Sequence, residues 1–416
     1  MKPFVKYESK VRSYIRSFPT VFDRAEGSMV WSEGGEAYID FFAGAGTLNY
    51  GHNPEIACEA MISYLQDRRI VHGLDKATVA KRDFLETLQD VILKPRDLDY
   101  KIQFVGPTGT NAVETALKLA RMSQKRSNVL AFTNAYHGLT LGALAVTGND
   151  FYRDESYGHR VNVDHMPYDG FLGEDVDTIQ VLRRYLTDKS SGVDLPSAII
   201  VETVQGEGGI NVASCEWLRK LEALCREFEI LLIIDDIQMG NGRTGWFFSF
   251  EEAGLKPDMV CLSKSLGGGL PIAILLIKPE LDIWQPGEHT GTFRGNNLAF
   301  VGASELMRQY WKDSTFAEEV SRRGQRMGEM LKSRASDTLG LEVRGRGMVW
   351  GIEFENEDLA AEISTECFNR KLICETCGSE SQVLKLLPAL TIEDDLLDRG
   401  MAVLGEAIET KMGVPA

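Results

Sequence analysis

The chain has 416 residues, of which 44% are hydrophobic and 25% charged, enough apolar content to bury a sizeable core in about two or three domains. Its 61 acidic side chains outnumber 45 basic ones for a formal net charge of −16, which argues against the Lys/Arg clustering that nucleic-acid binding needs. No apolar run reaches membrane-span length and Met1-Lys2-Pro3-Phe4-Val5-Lys6-Tyr7-Glu8 lacks a signal-peptide core, so a cytoplasmic protein that crosses no membrane is expected.

In chain order, the first informative element is Lys101-Ile102-Gln103-Phe104-Val105, which reads as a strand. It enters Gly106-Pro107-Thr108-Gly109-Thr110-Asn111, after which Ala112, Val113, Ala116, Leu117, Leu119 and Ala120 recur at helical spacing. A Thr/Gly/Asn turn opening a helix offers free N–H groups and the positive dipole end to an oxyanion. The same turn also serves as a plain N-cap. A second strand, residues 128–132, runs into Asn134-Ala135-Tyr136-His137-Gly138. An aromatic there can stack on a planar ring or pack into the core.

Three further strands, residues 197–203, 230–235 and 258–263, are nearly continuous apolar runs, the pattern of parallel strands buried on both faces. In open α/β sheets the carboxyl ends of such strands face a ligand crevice. One run ends on Asp235-Asp236-Ile237-Gln238 and the next on Ser263-Lys264, followed by Gly267-Gly268-Gly269. A lysine ending a buried strand loses its charge easily and is a candidate amine nucleophile for a Schiff base. Glycines beside it let a flat ligand approach. One lysine and one carboxylate suit pyridoxal 5′-phosphate (PLP): the amine holds the aldehyde, and the carboxylate keeps the pyridine nitrogen protonated. A buried salt bridge, or a lysine snorkelling to water, is the plain alternative.

Seven candidate strands lie between Lys101 and Lys278 and alternate mostly with helical patterns, the layout of a predominantly parallel sheet covered on both sides. After about Val301 come a charged helix through Gln325 and Lys332, a segment from Val343 to Phe354, and a final helical stretch. The seven cysteines are odd in number and scattered, as reduced thiols would be. Cys374-Glu375-Thr376-Cys377 has redox or zinc spacing without a second pair, and no histidine has ligand spacing. No metal is expected, and packing or hydrogen bonding is the expected work of His137.

Several motifs together carry a resemblance. They are Thr108-Gly109-Thr110-Asn111, Tyr136-His137-Gly138, residues 202–209 (Glu-Thr-Val-Gln-Gly-Glu-Gly-Gly), residues 235–238, Ser263-Lys264, residues 291–296 (Gly-Thr-Phe-Arg-Gly-Asn) and residues 343–348 (Val-Arg-Gly-Arg-Gly-Met). In that order, over nearly the whole length, the chain resembles the class III, fold-type-I PLP-dependent aminotransferases. The resemblance implies an α/β fold with a mostly parallel seven-stranded sheet in a large domain, residues 51–300. Residues 1–50 and 301–416 would make a smaller α+β domain. Lys264 would hold the cofactor and move the proton, Asp235 would pair with the pyridine nitrogen, and Gln238 would bond the phenolic oxygen. Tyr136 would stack on the ring, and Gly109 and Thr110 would hold the phosphate. Thr292 would reach the phosphate of a neighbouring subunit, which makes a homodimer the smallest competent unit. The chemistry would be ping-pong transamination between an amino acid and a 2-oxo acid.

Residues 41–54, His72-Gly73-Leu74-Asp75, Glu202-Thr203-Val204-Gln205 and residues 293–297 look more particularly like the members of that family that act on L-2,4-diaminobutyrate and 2-oxoglutarate in ectoine synthesis. Other ω-amino donors (ornithine, acetylornithine, 4-aminobutyrate) remain alternatives within the family. So does a non-catalytic scaffold, against which intact Lys264, Asp235 and Gln238 speak. Two departures stand out. Lys385 occupies a position where many relatives carry the arginine that clamps a substrate carboxylate in a switch with the residue matching Glu207. A lysine cannot give the bidentate fork, although the diaminobutyrate members carry lysine too. Arg294 is then a candidate carboxylate partner, or a structural arginine at a dimer interface. The loop 266–270 (Leu-Gly-Gly-Gly-Leu) is closer to the general family loop, as in a divergent member from a siderophore or peptide pathway.

Overall fold

Seven strands between Lys101 and Ile277 join in one sheet, in the spatial order Lys101–Phe104, Ile274–Ile277, Met259–Leu262, Leu231–Asp235, Ala198–Val201, Val129–Phe132, Val163–Met166. Only Ile274–Ile277 runs against its two neighbours; the remaining six share one direction. The structure is a computed structural model and describes residues 1–157, 161–336 and 339–413. The expected strands are all present. The run read as 197–203 stops at Val201, because Thr203 turns its hydroxyl to Ser249 and its carbonyl accepts from Ala213 N. There the chain leaves the sheet for a short hairpin, Val204–Gln205 with Asn211–Val212.

Each central strand buries both faces because its residues alternate between two apolar layers. On one side Leu231 and Ile233 pack with Ala198, Ile200, Cys261 and Leu275. On the other Leu232 and Ile234 pack with Ile199, Val201, Val260 and Leu276. The helix Gly109–Gln124 covers the first layer with the apolar residues picked out at helical spacing, all buried. Each such Leu, Ile or Val contributes roughly 1.5–3 kcal/mol by leaving water. The helix Cys215–Glu227 covers the second layer with Trp217, Leu218, Leu221 and Leu224. Six strands pointing one way deliver the turns after Phe104, Phe132, Val201, Asp235 and Leu262 to a single edge, where the site lies.

The two ends of the chain meet. Phe22–Glu26, Met29–Ser32 and Ala37–Asp40 form a sheet that Leu372–Ile373 completes by pairing parallel to Ala37–Asp40. A second four-stranded sheet runs Glu342–Arg346, Val349–Glu353, Val383–Leu386, Glu375–Cys377. In it Lys385 lies directly opposite Gly351 on one side and Glu375 on the other. The charged helix expected through Gln325 is Thr315–Leu331, which buries Phe316, Val320, Met327 and Leu331 on one face; the final one is Asp394–Met412. Among the described residues no helix is long and apolar enough to cross a membrane.

Candidate active site

Lys264 begins a tight turn, Lys264–Gly267, directly after its strand. Its φ is +47°, a left-handed conformation that costs a residue with a Cβ about 1–2 kcal/mol. Ser263 anchors the bend by donating its hydroxyl to Ile272 O at 2.7 Å. The half-buried lysine lines a cavity of about 310 Å³ together with Gly109, Thr110, Tyr136, Glu207, Asp235 and Gln238. Burial draws its pKa below the ordinary lysine value against the opposing pull of Glu207. The two strand ends that the apolar runs singled out, at 235 and 264, therefore do open on one space.

Asp235 is buried and fully directed. His137 Nδ1 stands 2.7 Å from its Oδ2, and Ile237 N donates to Oδ1 at 3.2 Å. Burial opposes a charge on His137, but the hydrogen bond and the charge of Asp235 prevail and raise its pKa. The His137 backbone is held as well, its N–H donating to Thr147 Oγ1 at 3.0 Å. Glu202 braces the adjoining turns, accepting from Tyr136 N at 2.9 Å and Gly206 N at 3.3 Å. Burial pushes its carboxyl up to about 7. The Tyr136 ring meets Tyr152 edge-on with centroids 5.6 Å apart.

Gln238 Nε2 donates to Ala45 O and to Glu207 Oε1, each at 3.0 Å, while its buried Oε1 has no partner. Bare backbone walls off this corner. A Cβ on Gly206 would stand 1.7 Å from Gln238 Oε1, and one on Gly138 would stand 2.5 Å from Thr110 Oγ1. At the start of the Gly109–Gln124 helix, Thr108 makes no side-chain cap. Gly109 and Thr110 line the cavity at the positive end of a 16-residue helix, and their N–H groups have no side-chain cap.

Glu207 connects the cavity to the C-terminal sheet. Lys385, completely buried, places Nζ 2.6 Å from Glu207 Oε1 and 3.1 Å from Glu375 Oε1. Burial works against the Glu207 charge, but Lys385 and Lys264 outweigh it and hold the carboxyl down at about 2. Tyr14, from the other end of the chain, donates its hydroxyl to Glu375 Oε2 at 2.8 Å.

The residues singled out from sequence divide into two groups. Lys264, Asp235, Gln238, Tyr136, Gly109, Thr110 and Glu207 share the cavity, with Lys385 behind Glu207. Thr292 and Arg294 lie apart on the loop 291–296. Thr292 is exposed and its carbonyl contacts His72 Nε2 at 2.9 Å; Arg294 pairs with Asp75 and donates to His289 O at 3.1 Å. Four contributors escaped the sequence reading: His137 as the partner of Asp235, Glu202 as a brace, Glu375 and Tyr14. Spacing gave no signal for the last two. For His137 the adjacency to Tyr136 was a usable sign. Cys374 and Cys377 are free and buried on either side of Glu375, and no group of residues fit to hold a metal ion occurs among the described residues.

The family described as aminotransferase class-III matches residues 12–408. The chain is 59% identical over 410 residues to a diaminobutyrate–2-oxoglutarate transaminase of Wolinella succinogenes, covering 98% of this chain and 96% of that protein. It is 52% identical over 412 residues to one of Halalkalibacterium halodurans, with coverage of 98% and 96%. Among solved structures, the ornithine aminotransferase of Toxoplasma gondii, with PLP partially occupying its active site, is similar in fold. Its TM-score is 0.86 at 24% identity, over 99% of this chain and 94% of that one.

Proposed function

This chain belongs to the class-III aminotransferases, and from that premise we propose that it exchanges amino groups between L-2,4-diaminobutyrate with 2-oxoglutarate and L-aspartate 4-semialdehyde with L-glutamate. The enzyme is PLP-dependent, and the substrate assignment follows full-length relatives at 52% and 59% identity that carry that activity in their names. The observation that carries the chemistry is one cavity shared by Lys264, Asp235 and Gln238, with an uncapped helix start at its wall.

The residues present fit the cofactor. The first-turn N–H groups are donors that a phosphate would complete, the unpartnered Oε1 of Gln238 is an acceptor that the O–H of a protonated ring hydroxyl would complete, and the glycines leave room for a flat ring. Bound PLP supplies an electron sink for charge developing at the carbon beside the reacting nitrogen. Asp235, fixed by His137 and Ile237, would hold the proton on the pyridine nitrogen. Gln238 would meet the ring hydroxyl, Tyr136 would cover a ring face, and Gly109 with Thr110 would hold the phosphate. Lys264, which burial makes easier to deprotonate, takes and returns the proton at the substrate carbon bearing the reacting nitrogen. Glu207, backed by Lys385, meets the far end of the substrate.

The proposal extends to assembly and setting. Thr292 and Arg294 lie outside this chain's own cavity beside Phe293, which is 68% exposed. That supports a homodimer in which each copy presents this loop to the other's cofactor. The smaller domain is assigned to residues 1–50 and 301–416, joined through Ala37–Asp40 and Leu372–Ile373. We place the enzyme in the cytoplasm, supplying diaminobutyrate to ectoine synthesis. A donor panel with 2-oxoglutarate tests the substrate assignment: diaminobutyrate should give the highest kcat/KM, and a preference for ornithine would overturn it. Lys264→Ala should lower kcat by at least about 10²-fold and lose borohydride-fixable PLP.

A further inference from the structure

Lys385 is flanked by more negative charge than it can balance. Glu207 and Glu375 share its single ammonium at 2.6 and 3.1 Å, and because Lys264 also offsets Glu207 whereas Glu375 draws on Lys385 alone, the surplus negative charge of this trio falls on Glu375. Burial acts on that surplus and raises the Glu375 carboxyl above its ordinary range, despite Lys385. The Glu375 side chain is 4% exposed, and its Oε1 touches Lys385 without making a directed hydrogen bond. Its Oε2 is occupied by the Tyr14 hydroxyl at 2.8 Å, a contact between residues 361 apart in sequence.

Glu375 and Tyr14 line a pocket of about 590 Å³ whose wall also includes Glu207, Tyr136 and Tyr152. Glu207 and Tyr136 line the Lys264 cavity as well, so the two spaces adjoin across those side chains. A substrate of a few carbons whose reacting amine lies at Lys264 extends its other end past Glu207 into this second space. A ligand that brings an ammonium there compensates the surplus charge. A ligand that brings only carboxylates adds to it.

We infer that Glu375, held in orientation by Tyr14, receives the 2-ammonium of the diamino acid donor and so sets the preference for donors with a second amine. The inference rests on the donor assignment above and deepens it. Glu207, at the junction of the two spaces, meets the far end of every amino substrate, whereas Glu375 reads only the additional nitrogen. The plain alternative is a cross-strand ion pair with a purely structural task.

The test compares kcat/KM of the PLP-loaded enzyme on L-2,4-diaminobutyrate, on 4-aminobutyrate, which lacks only the 2-amine, and on L-glutamate. Glu375→Gln should lower kcat/KM for diaminobutyrate by about 10- to 100-fold, the range of a lost hydrogen bond to a charged group, mainly through KM. Any effect passed through Lys385 to Glu207 falls on all three substrates alike, so the readout is the diaminobutyrate to 4-aminobutyrate ratio, which should fall by that additional factor. Tyr14→Phe should shift the diaminobutyrate to 4-aminobutyrate ratio in the same direction by less, and Glu375→Asp should keep part of the preference. Equal losses on all three substrates, or an unchanged ratio, would overturn the inference in favour of the structural role. If Glu375→Gln does not fold, the ratios in Tyr14→Phe and Glu375→Asp decide. A wild type inactive on diaminobutyrate but active on another ω-amine refutes the donor assignment and this inference with it. A wild type active on diaminobutyrate whose variants keep the ratio refutes the inference alone.

Discussion

Replacing Lys385 with Met nearly conserves volume and removes the lysine that contacts both Glu207 and Glu375. Withdrawing one member of a buried ion pair costs about 3–5 kcal/mol, because the remaining charge stays desolvated. The penalty does not divide evenly. The Glu207 side chain is 24% exposed and keeps the Gln238 amide at 3.0 Å, so it retains solvent and a donor. Glu375, at 4% exposure, would keep only the Tyr14 hydroxyl. Most of the loss therefore falls on Glu375, and urea unfolding of Lys385→Met followed by tryptophan fluorescence should show it in full near pH 8. The pH dependence has a definite sign. A carboxyl with a folded-state pKa above its unfolded value binds protons more readily when folded, so its destabilisation is greatest at high pH and fades as pH falls through the folded value. The Glu375 carboxyl already lies above its ordinary range with Lys385 present, and losing the lysine raises it further. Acidification through the folded-state value should therefore restore stability to the variant, and adding Glu375→Gln should restore it at all pH values. A loss under about 1 kcal/mol, or one that does not shrink on acidification, would mean that water already reaches this charge and would refute the argument.

Three further outcomes follow from the same geometry. Asp236 is buried, its Oδ1 has no partner, and burial pushes its carboxyl up to about 7; wild type should lose roughly 2–3 kcal/mol of stability between about pH 5 and 8 that Asp236→Asn does not lose, as read from paired denaturation series. Gly206→Ala would set a methyl 1.7 Å from Gln238 Oε1; the amide must swing away, and PLP should bind about tenfold more weakly in a fluorescence titration, with little change in melting temperature. Arg243 is completely buried without a carboxylate and donates to Met348 O at 2.9 Å, Pro388 O at 2.5 Å and Asn49 Oδ1 at 2.5 Å; Arg243→Lys cannot reach all three acceptors, and a stability loss of at least about 2 kcal/mol should appear in chemical denaturation.

The parts of this molecule that could be read from sequence are those where one local rule dominates. Continuous apolar runs marked the central strands because both faces of those strands are buried, and the acidic and basic residues ending them stood out against that background. The helix at Gly109 announced itself through its turn residues and its apolar spacing. Glu375 gave no such sign. It lies between Cys374 and Cys377, whose spacing draws attention to sulfur, while its importance comes from a strand register that sets it opposite Lys385. Tyr14 reaches the site through a chain path that no local pattern encodes. The role of His137 was hidden for a similar reason: its partner, Asp235, is 98 residues away, and only the parallel order of the strands brings the two together.

The wall of the second pocket has a consequence for the order in which the protein is made. The large sheet is complete once residue 277 has been synthesised, and Lys264, Asp235 and the helix start at Gly109 all precede that point. Glu375 and Lys385 come a hundred residues or so later, and Tyr14 has to wait for them from the beginning of translation. Because nascent chains fold in units as they emerge, the strand ends carrying Asp235 and Lys264 can come together on the ribosome before Glu375 and Lys385 exist. Removing the first 14 residues should thus take Tyr14 away from Glu375 while leaving Lys264, Asp235 and the helix start at Gly109 where the large sheet puts them.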